Sequence, residues 1–358
     1  MAVAFHKLKV ADVRRETPDA VSIAFAVPPE LADEYRFHPG QHLTLRRECD
    51  GQDIRRSYSI CTGLDDRELR VAVKKVDGGV FSTLCNESLR PGDMIDVMTP
   101  QGRFGVMPDP GAARNYLAIA AGSGITPILS LLRSVLSREP NSRFMLIYGN
   151  RTAKDIIFKE ALEDLKDRFI GRLVVHHVLS REQQEIELFN GRIDAEKIEA
   201  LLKSFAPASR IDHAFLCGPG AMIEDAKATL IQLGTPPGHV HIEYFSTDGV
   251  PVTPRRTAAK AAGEAPVAHA RVTLHGSAYD IPMLEGETII DAGERAGIEL
   301  PYSCRGGMCC TCRAKLESGE VEMAVNYSLE PWEKEAGYVL TCQARPLTKE
   351  IVVDYDEV

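Results

Sequence analysis

Four cysteines in the last quarter of the chain constrain it most. Cys304, Cys309 and Cys312 follow a C-x4-C-x2-C spacing, and Cys342 follows after 29 intervening residues. Four thiolates at this spacing can hold a [2Fe–2S] cluster. A loop wrapped round a cluster needs unusual dihedrals and close backbone approach, which Gly306 and Gly307 supply. Its N–H groups can then hydrogen-bond the sulfurs. Two plainer readings compete: a structural zinc site with four cysteine ligands, and unligated thiols. Structural zinc pairs its ligands at short spacing on both sides, whereas here one gap is x4 and the fourth cysteine is solitary. Cys310 lies between two ligands and is expected to point away from them. Cys49, Cys61, Cys85 and Cys217 are scattered. In a reducing compartment such clustering points to metal rather than to disulfides.

The same quarter is acidic. Residues 267–358 carry 8 Lys and Arg against 16 Asp and Glu, while residues 1–266 carry 34 against 35. Nearly all of the net charge of -9 therefore sits at one end. A chain without a basic excess is not expected to bind nucleic acid. The most apolar stretch, Tyr116–Leu132, is broken by Gly122, Gly124 and Pro127 and is too short for a bilayer, so no membrane span is expected. MAVAFHKLKV lacks the pattern of a signal peptide, and a cytoplasmic location is the default expectation.

The chain reads as several domains: 1–110, 111–247, a linker at 248–270, and 271–358. The linker, DGVPVTPRRTAAKAAGEAPVAHA, has no aromatic residue and no periodic apolar face, which predicts an extended tether. Residues 1–110 show short strand-like runs, Val21–Val27, His42–Leu45 and Leu69–Val73, between Pro-Gly and Gly-Gly turns, which suggest a barrel or sandwich. Residues 111–247 alternate apolar strands (Tyr116–Ala121, Phe144–Tyr148, Leu173–Val178, His213–Cys217, His239–Tyr244) with amphipathic helices. This is the pattern of an α/β doubly wound parallel sheet. Residues 271–358 read as a small α+β unit.

Five groups of residues have the chemistry of nucleotide sites. In the first domain, Arg56-Ser57-Tyr58-Ser59 offers a cation for a pyrophosphate and an aromatic ring with a polar tip. After Val73-Lys74, Gly78 and Gly79 leave backbone N–H groups free beside Phe81 and Ser82 at a helix start. In the second, Gly122-Ser123-Gly124, with Thr126 and Pro127 behind it, forms a strand-to-helix turn of the kind that receives a pyrophosphate, though it is not the six-residue dinucleotide fingerprint. Gly149-Asn150-Arg151 and Cys217-Gly218-Pro219 follow two further strands and are expected at the same sheet edge. Each of these is also compatible with a tight turn that holds no ligand.

Taken in order, RSYS, GGVFS, GSGITP, CGPG and PYSCRGGMCCTC resemble the ferredoxin–NADP⁺ reductase superfamily joined to a C-terminal plant-type ferredoxin domain. That resemblance implies an antiparallel β-barrel that binds FAD, a nucleotide domain and a β-grasp ferredoxin domain. It implies that Arg56, Tyr58 and Ser59 hold the flavin, with Gly79 and Ser82 at its pyrophosphate. It implies that Ser180 and Arg181 meet the 2′-phosphate of NADPH, which favours NADPH over NADH. Glu243 and the aromatic after it close the second domain. Phe245, with Tyr244 as competitor, would stack on the flavin, and Cys217 would lie near the nicotinamide. Plain core packing is the competing role for these residues. Over its whole length, through segments such as RFHPGQHLTL and LIYGNRT, the chain is similar to reductase components of oxygenases. The implied path runs from NADPH through FAD and a [2Fe–2S] cluster to a di-iron oxygenase complex acting on an aryl-acetyl thioester. Service to another aromatic-ring or Rieske oxygenase, and a non-catalytic redox sensor, are the alternatives.

Overall fold

The computed structural model describes residues 3–49, 51–205, 210–245 and 265–357. The chain divides into two compact units, Phe5–Ser246 and Thr247–Val358 together with Met1–Ala4. The stretch 248–264 of the expected tether lies outside the described residues.

The first unit begins with β1 (Phe5–Thr17), β2 (Ala20–Ala26), β3 (His42–Cys49), β4 (Gln52–Ser59), β5 (Leu69–Lys74), the helix α1 (Val80–Glu87) and β6 (Met94–Met98). The strands form one antiparallel sheet in the order β4-β3-β6-β1-β2-β5. A bridge between Ile60 and Val71 joins the edge strands and closes the sheet into a barrel, which removes its open edges. Leu8, Ile23, Leu43, Val71 and Phe81 are among the side chains that fill it. β1 is absent from the expected strands. Its run of charges hides an alternation that pairing with both β2 and β6 makes effective.

The unit continues with β7 (Asn115–Ala121), α2 (Ile125–Arg138), β8 (Arg143–Asn150), α3 (Lys159–Arg168), β9 (Leu173–Leu179), α4 (Ala195–Phe205), β10 (His213–Gly218), α5 (Gly220–Gln232) and β11 (Val240–Tyr244). All five strands are parallel, in the order β11-β10-β7-β8-β9. Two apolar layers cover the sheet. Ala118 and Ala120 face α2 and α3, whereas Leu117 and Ile119 face α4 and α5. The chain leaves β7 and β10, neighbours in the sheet, toward opposite faces. A crevice therefore opens between their carboxyl ends, where such sheets bind ligands.

The boundary expected near residue 110 runs through a single packed body. α2 is buried on nearly all sides because it is covered twice, by its own sheet and by the barrel, and Ser130 and Ser134 are buried along with its apolar residues. Phe104 of the barrel meets Phe215 of β10 edge to face, with ring centroids 5.6 Å apart. Ser130 donates to the Thr62 carbonyl at 2.6 Å, the Leu64 N–H donates to Ser134, and Arg133 and Arg138 pair with Asp66 and Asp65. The β4–β5 loop is thus fastened along one helix.

The second unit contains β12 (Ala268–Leu274), β13 (Ser277–Met283), α6 (Ile289–Arg295), β14 (Arg313–Ser318), β15 (Val321–Met323), α7 (Pro331–Glu335), β16 (Tyr338–Leu340), β17 (Ala344–Pro346) and β18 (Glu350–Asp354). Its main sheet runs β13-β12-β18-β14-β16, with β12 and β18 parallel in the middle; β15 and β17 pair separately. α6 starts from a capping box in which Thr288 and Asp291 exchange hydrogen bonds. β12 begins at Ala268, so residues 268–270, expected in the tether, belong to the sheet. Apolar alternation through Ala268, Ala270 and Val272 places them in the core. Among the described residues no helix is long and apolar enough to cross a membrane.

Truncating Phe104 to Ala removes a buried ring from the joint between barrel and parallel sheet. A loss of about 3 kcal/mol is expected in denaturant unfolding of this unit, with the iron–sulfur absorption of the second unit unchanged.

Candidate redox site

Successive residues of a strand point to opposite faces, and β4 uses this to divide its motif. Tyr58 turns to the barrel side, 6.1 Å from the Phe81 ring. Ser59, buried, turns to the parallel sheet and donates to Glu243 Oε2 at 3.1 Å. Ser57 meets Thr44 at 3.3 Å. Arg56 is exposed, with its guanidinium donating to the Arg55 carbonyl.

The glycine pair precedes α1. Gly78 lies at φ +70°, and Gly79 is the helix N-cap with no side chain to cap the first turn. Its backbone donors are left for another acceptor. Ser82 Oγ accepts from the Val76 N–H and donates to the Gly79 carbonyl, so its hydroxyl shapes this turn. Phe81 and Val73 are barrel core, 2% and 0% exposed, so what they can offer at the surface is backbone. Lys74 pairs with Asp19 at 3.5 Å, and its ammonium reaches within 3.9 Å of where a side chain on Gly122 would begin. It therefore links this turn to the next.

Gly122-Ser123-Gly124 makes a tight turn into α2. Gly122 sits at φ +53°, and its carbonyl accepts from the Tyr148 hydroxyl at 2.9 Å. Thr126 donates to the Ser123 carbonyl, and Pro127 lies buried in the first turn of α2. A Cβ on Gly124 would stand 2.1 Å from the Cys217 carbonyl oxygen. A Cβ on Gly218 would meet Ala121 at 3.2 Å. The turns after β7 and β10 touch backbone to backbone, which no side chain would allow. Pro219 caps α5.

Gly149, Asn150 and Arg151 end β8, where the buried Asn150 amide nitrogen makes no well-formed hydrogen bond within the protein. The Ser180 and Arg181 N–H groups donate to the Asn150 and Arg151 carbonyls. Arg151 and Arg181 therefore stand side by side, both exposed.

Cys217 and Glu243 are register partners on adjacent parallel strands, so their side chains share the face toward the barrel. Burial, reinforced by the Glu243 charge, pushes the Cys217 thiol well above its ordinary range and keeps it neutral. Ser59, Cys217 and Glu243 converge, although they are far apart in sequence. Tyr244 donates its hydroxyl to Glu224 of α5, whereas Phe245 is 37% exposed at the strand end. Phe245 thus lies at the carboxyl edge of the parallel sheet with part of its ring open to solvent.

In the second unit the four thiols lie in two neighbouring pairs, Cys304 beside Cys309 and Cys312 beside Cys342. The pairs also lie within each other's electrostatic reach. No three His, Cys, Asp or Glu side chains among the described residues are placed to hold one metal ion. Two pairs of thiols fit two irons better than one zinc. Cys304 Sγ accepts from the Gly306 and Met308 N–H groups at 3.3 and 3.5 Å, and the Gly307 N–H faces Cys342. This geometry requires left-handed backbone at Arg305 (φ +51°), Gly307 (+74°) and Cys310 (+52°). The last of these turns Cys310 away, and its thiol donates to the Ser328 carbonyl at 3.3 Å. Burial pushes that thiol up to about 12. Tyr148 and Gln343 are absent from the sequence-derived candidates. Tyr148 reads as an ordinary strand residue, and only its position beside Cys342 marks Gln343.

Known proteins share this arrangement. A family model described as an oxidoreductase FAD-binding domain matches residues 7–105, an oxidoreductase NAD-binding domain matches 118–228, and a 2Fe-2S iron-sulfur cluster binding domain matches 272–347. The chain is 47% identical over 355 residues to a component of 1,2-phenylacetyl-CoA epoxidase of Escherichia coli (strain K12), covering 98% of each. It is 37% identical to the ferredoxin reductase component of 3-ketosteroid-9-alpha-monooxygenase of Mycolicibacterium smegmatis, covering 98% of this chain and 97% of that one. In fold it resembles phthalate dioxygenase reductase, with 24% identity, 98% of both chains covered and a TM-score of 0.58.

The contact at Gly124 has a simple test. Gly124→Ala forces the two turns apart and is expected to raise the KM for the nicotinamide nucleotide about tenfold or more, since overpacking costs about 1–3 kcal/mol. FAD content stays unchanged. Gly220→Ala, where nothing lies within 4 Å of the added carbon, is the matched control and leaves the KM in place.

Proposed function

The chain belongs to the family of oxygenase reductase components that join a flavin and nucleotide module of the ferredoxin–NADP⁺ reductase superfamily to a C-terminal [2Fe–2S] domain, and on that premise we propose that it supplies phenylacetyl-CoA epoxidase, a di-iron oxygenase complex, with electrons from NADPH. The setting is phenylacetate catabolism in the cytoplasm. The observation that carries this reading is the 47% identity to the epoxidase component, which runs through all three domains. When bound, FAD takes two electrons from the nicotinamide and the [2Fe–2S] cluster accepts them singly.

The chain's own residues bind and orient. The first-turn N–H groups of α1, with Arg56 and Ser82, suit the flavin pyrophosphate, and Tyr58 and Phe245 offer rings to its aromatic system. The turns at Gly122–Gly124 and Cys217–Pro219 suit the nucleotide pyrophosphate. Ser59 keeps its proton on Oγ, directed at Glu243, while the neutral Cys217 thiol fills the remaining corner and excludes water. Cys304, Cys309, Cys312 and Cys342 are the ligand set. Expected boundaries at 110 and 247 divide these roles along the chain.

Arg181 and Arg151 together form a forked, doubly charged edge suited to a 2′-phosphate. Arg181→Ala is expected to raise the KM for NADPH about tenfold, the weight of one hydrogen bond to a charged group, while that for NADH barely moves. Equal effects on both nucleotides would remove the assignment.

The identity to the ketosteroid monooxygenase component favours a second reading, service to a different oxygenase. Reconstitution separates them: the purified chain, NADPH, the oxygenase part of the epoxidase and phenylacetyl-CoA are expected to yield epoxide coupled to NADPH oxidation. Coupling only to another oxygenase would overturn the partner. Failure to reduce even cytochrome c would leave a non-catalytic redox sensor.

A further inference from the structure

Gln343 directly follows Cys342 and is 1% exposed. Its side chain runs back across the cysteine loop. Nε2 donates to the Arg305 carbonyl at 2.8 Å and lies 3.6 Å from Cys342 Sγ, within hydrogen-bond reach of sulfur. A primary amide nitrogen carries two hydrogens, so both contacts are made at once. The Arg305 carbonyl can only accept, which fixes the nitrogen end of the amide. Oε1 is buried without a partner, a condition that costs about 1–3 kcal/mol. A residue serving only to fill space would be Leu or Met, which occupy a similar volume without that cost. The backbone on either side is pinned: the Gln343 N–H donates to the Leu340 carbonyl, and the Ala324 N–H donates to the Gln343 carbonyl. Gly307 leaves room for the crossing, since a Cβ there would stand 3.4 Å from Gln343 Cγ and 3.0 Å from the Val325 carbonyl oxygen.

We propose that Gln343 is a positioning residue for the cluster. It braces the turn after Cys304, which belongs to one thiol pair, against Cys342 of the other, and its amide donates a hydrogen bond to the Cys342 sulfur. This rests on the reading of the four thiols as [2Fe–2S] ligands. One-electron reduction adds a negative charge that spreads onto the ligating sulfurs. A donor at sulfur stabilises the reduced state more than the oxidised one and raises the reduction potential. The backbone donors at Cys304 survive any side-chain change, whereas this one is removed by a single substitution.

Gln343→Leu and Gln343→Met keep the volume and delete the donor. The holo-proteins are compared with the wild type for iron and FAD content, electron paramagnetic resonance of the dithionite-reduced cluster, and midpoint potential against redox dyes. The expected result is unchanged FAD, a retained cluster with an altered resonance signal, and a lower potential. Against a dye of fixed potential the ratio of reduced to oxidised cluster falls about tenfold, which is about 59 mV for one electron. An unchanged potential in either variant overturns the proposal. So does loss of iron from both with an unchanged potential in the clusters that remain, since that outcome describes packing alone. A wild-type protein without a [2Fe–2S] signal would instead overturn the ligand assignment on which the proposal stands.

Discussion

The contact between Gly124 and the Cys217 carbonyl is the constraint from which the rest of the first unit follows. Two parallel strands can lie side by side and send their chains to opposite faces only if the turns beyond them do not collide. Glycine at 124 and 218 lets backbone touch backbone. That approach draws the start of α2 onto the sheet, and α2 then carries the barrel with it through Ser130, Ser134, Arg133 and Arg138. The barrel in turn delivers Ser59 to Glu243. A ligand crevice at the carboxyl ends of β7 and β10 and a flavin-type barrel facing it are therefore consequences of one packing solution, not separate acquisitions.

This also explains what could be read beforehand. Strands β7, β8 and β10 were legible because each is a short, largely buried apolar run with glycine at or just past its carboxyl end, whereas β9 and β11 carry histidines or a glutamate, have no such glycine, and were legible only from the strand–helix alternation. The [2Fe–2S] domain was legible because the spacing of its cysteines alone carries the information. β1 was not, since its charges dominate the sequence and its alternation acquires meaning only when two partners flank it. The single body formed by barrel and parallel sheet was not legible either. The polar residues of α2, Ser130, Arg133, Ser134 and Arg138, read as an ordinary solvent face, and only the fold shows the barrel loop that covers them. The meeting of Ser59, Cys217 and Glu243 depends on a closed barrel and a parallel register together, and no local pattern encodes a contact across 184 residues. The motif residues Val73 and Phe81 illustrate the reverse case. They stand inside recognisable segments, yet their side chains serve the barrel core.

The second unit handles charge differently. A four-thiolate site needs compensation, and the structure supplies it from backbone N–H groups rather than from cations. The two arginines flanking the site are already committed. Arg305 is held by Asp291 and Glu294 and lies over Tyr302, and Arg313 pairs with Glu333 while lying over Tyr338. These pairs fasten α6 and α7 to the loop without placing net charge beside the sulfurs. The acidic excess of this end of the chain must therefore reside on its surface, where Glu285, Glu299, Glu317, Glu320, Glu322 and Glu335 are exposed. A field from such a surface steers molecules of opposite sign over distances comparable to the screening length. The backbone N–H groups act on the sulfurs at hydrogen-bond distance, whereas the surface carboxylates act through solvent and are screened, so the two sets of dipoles and charges differ in range.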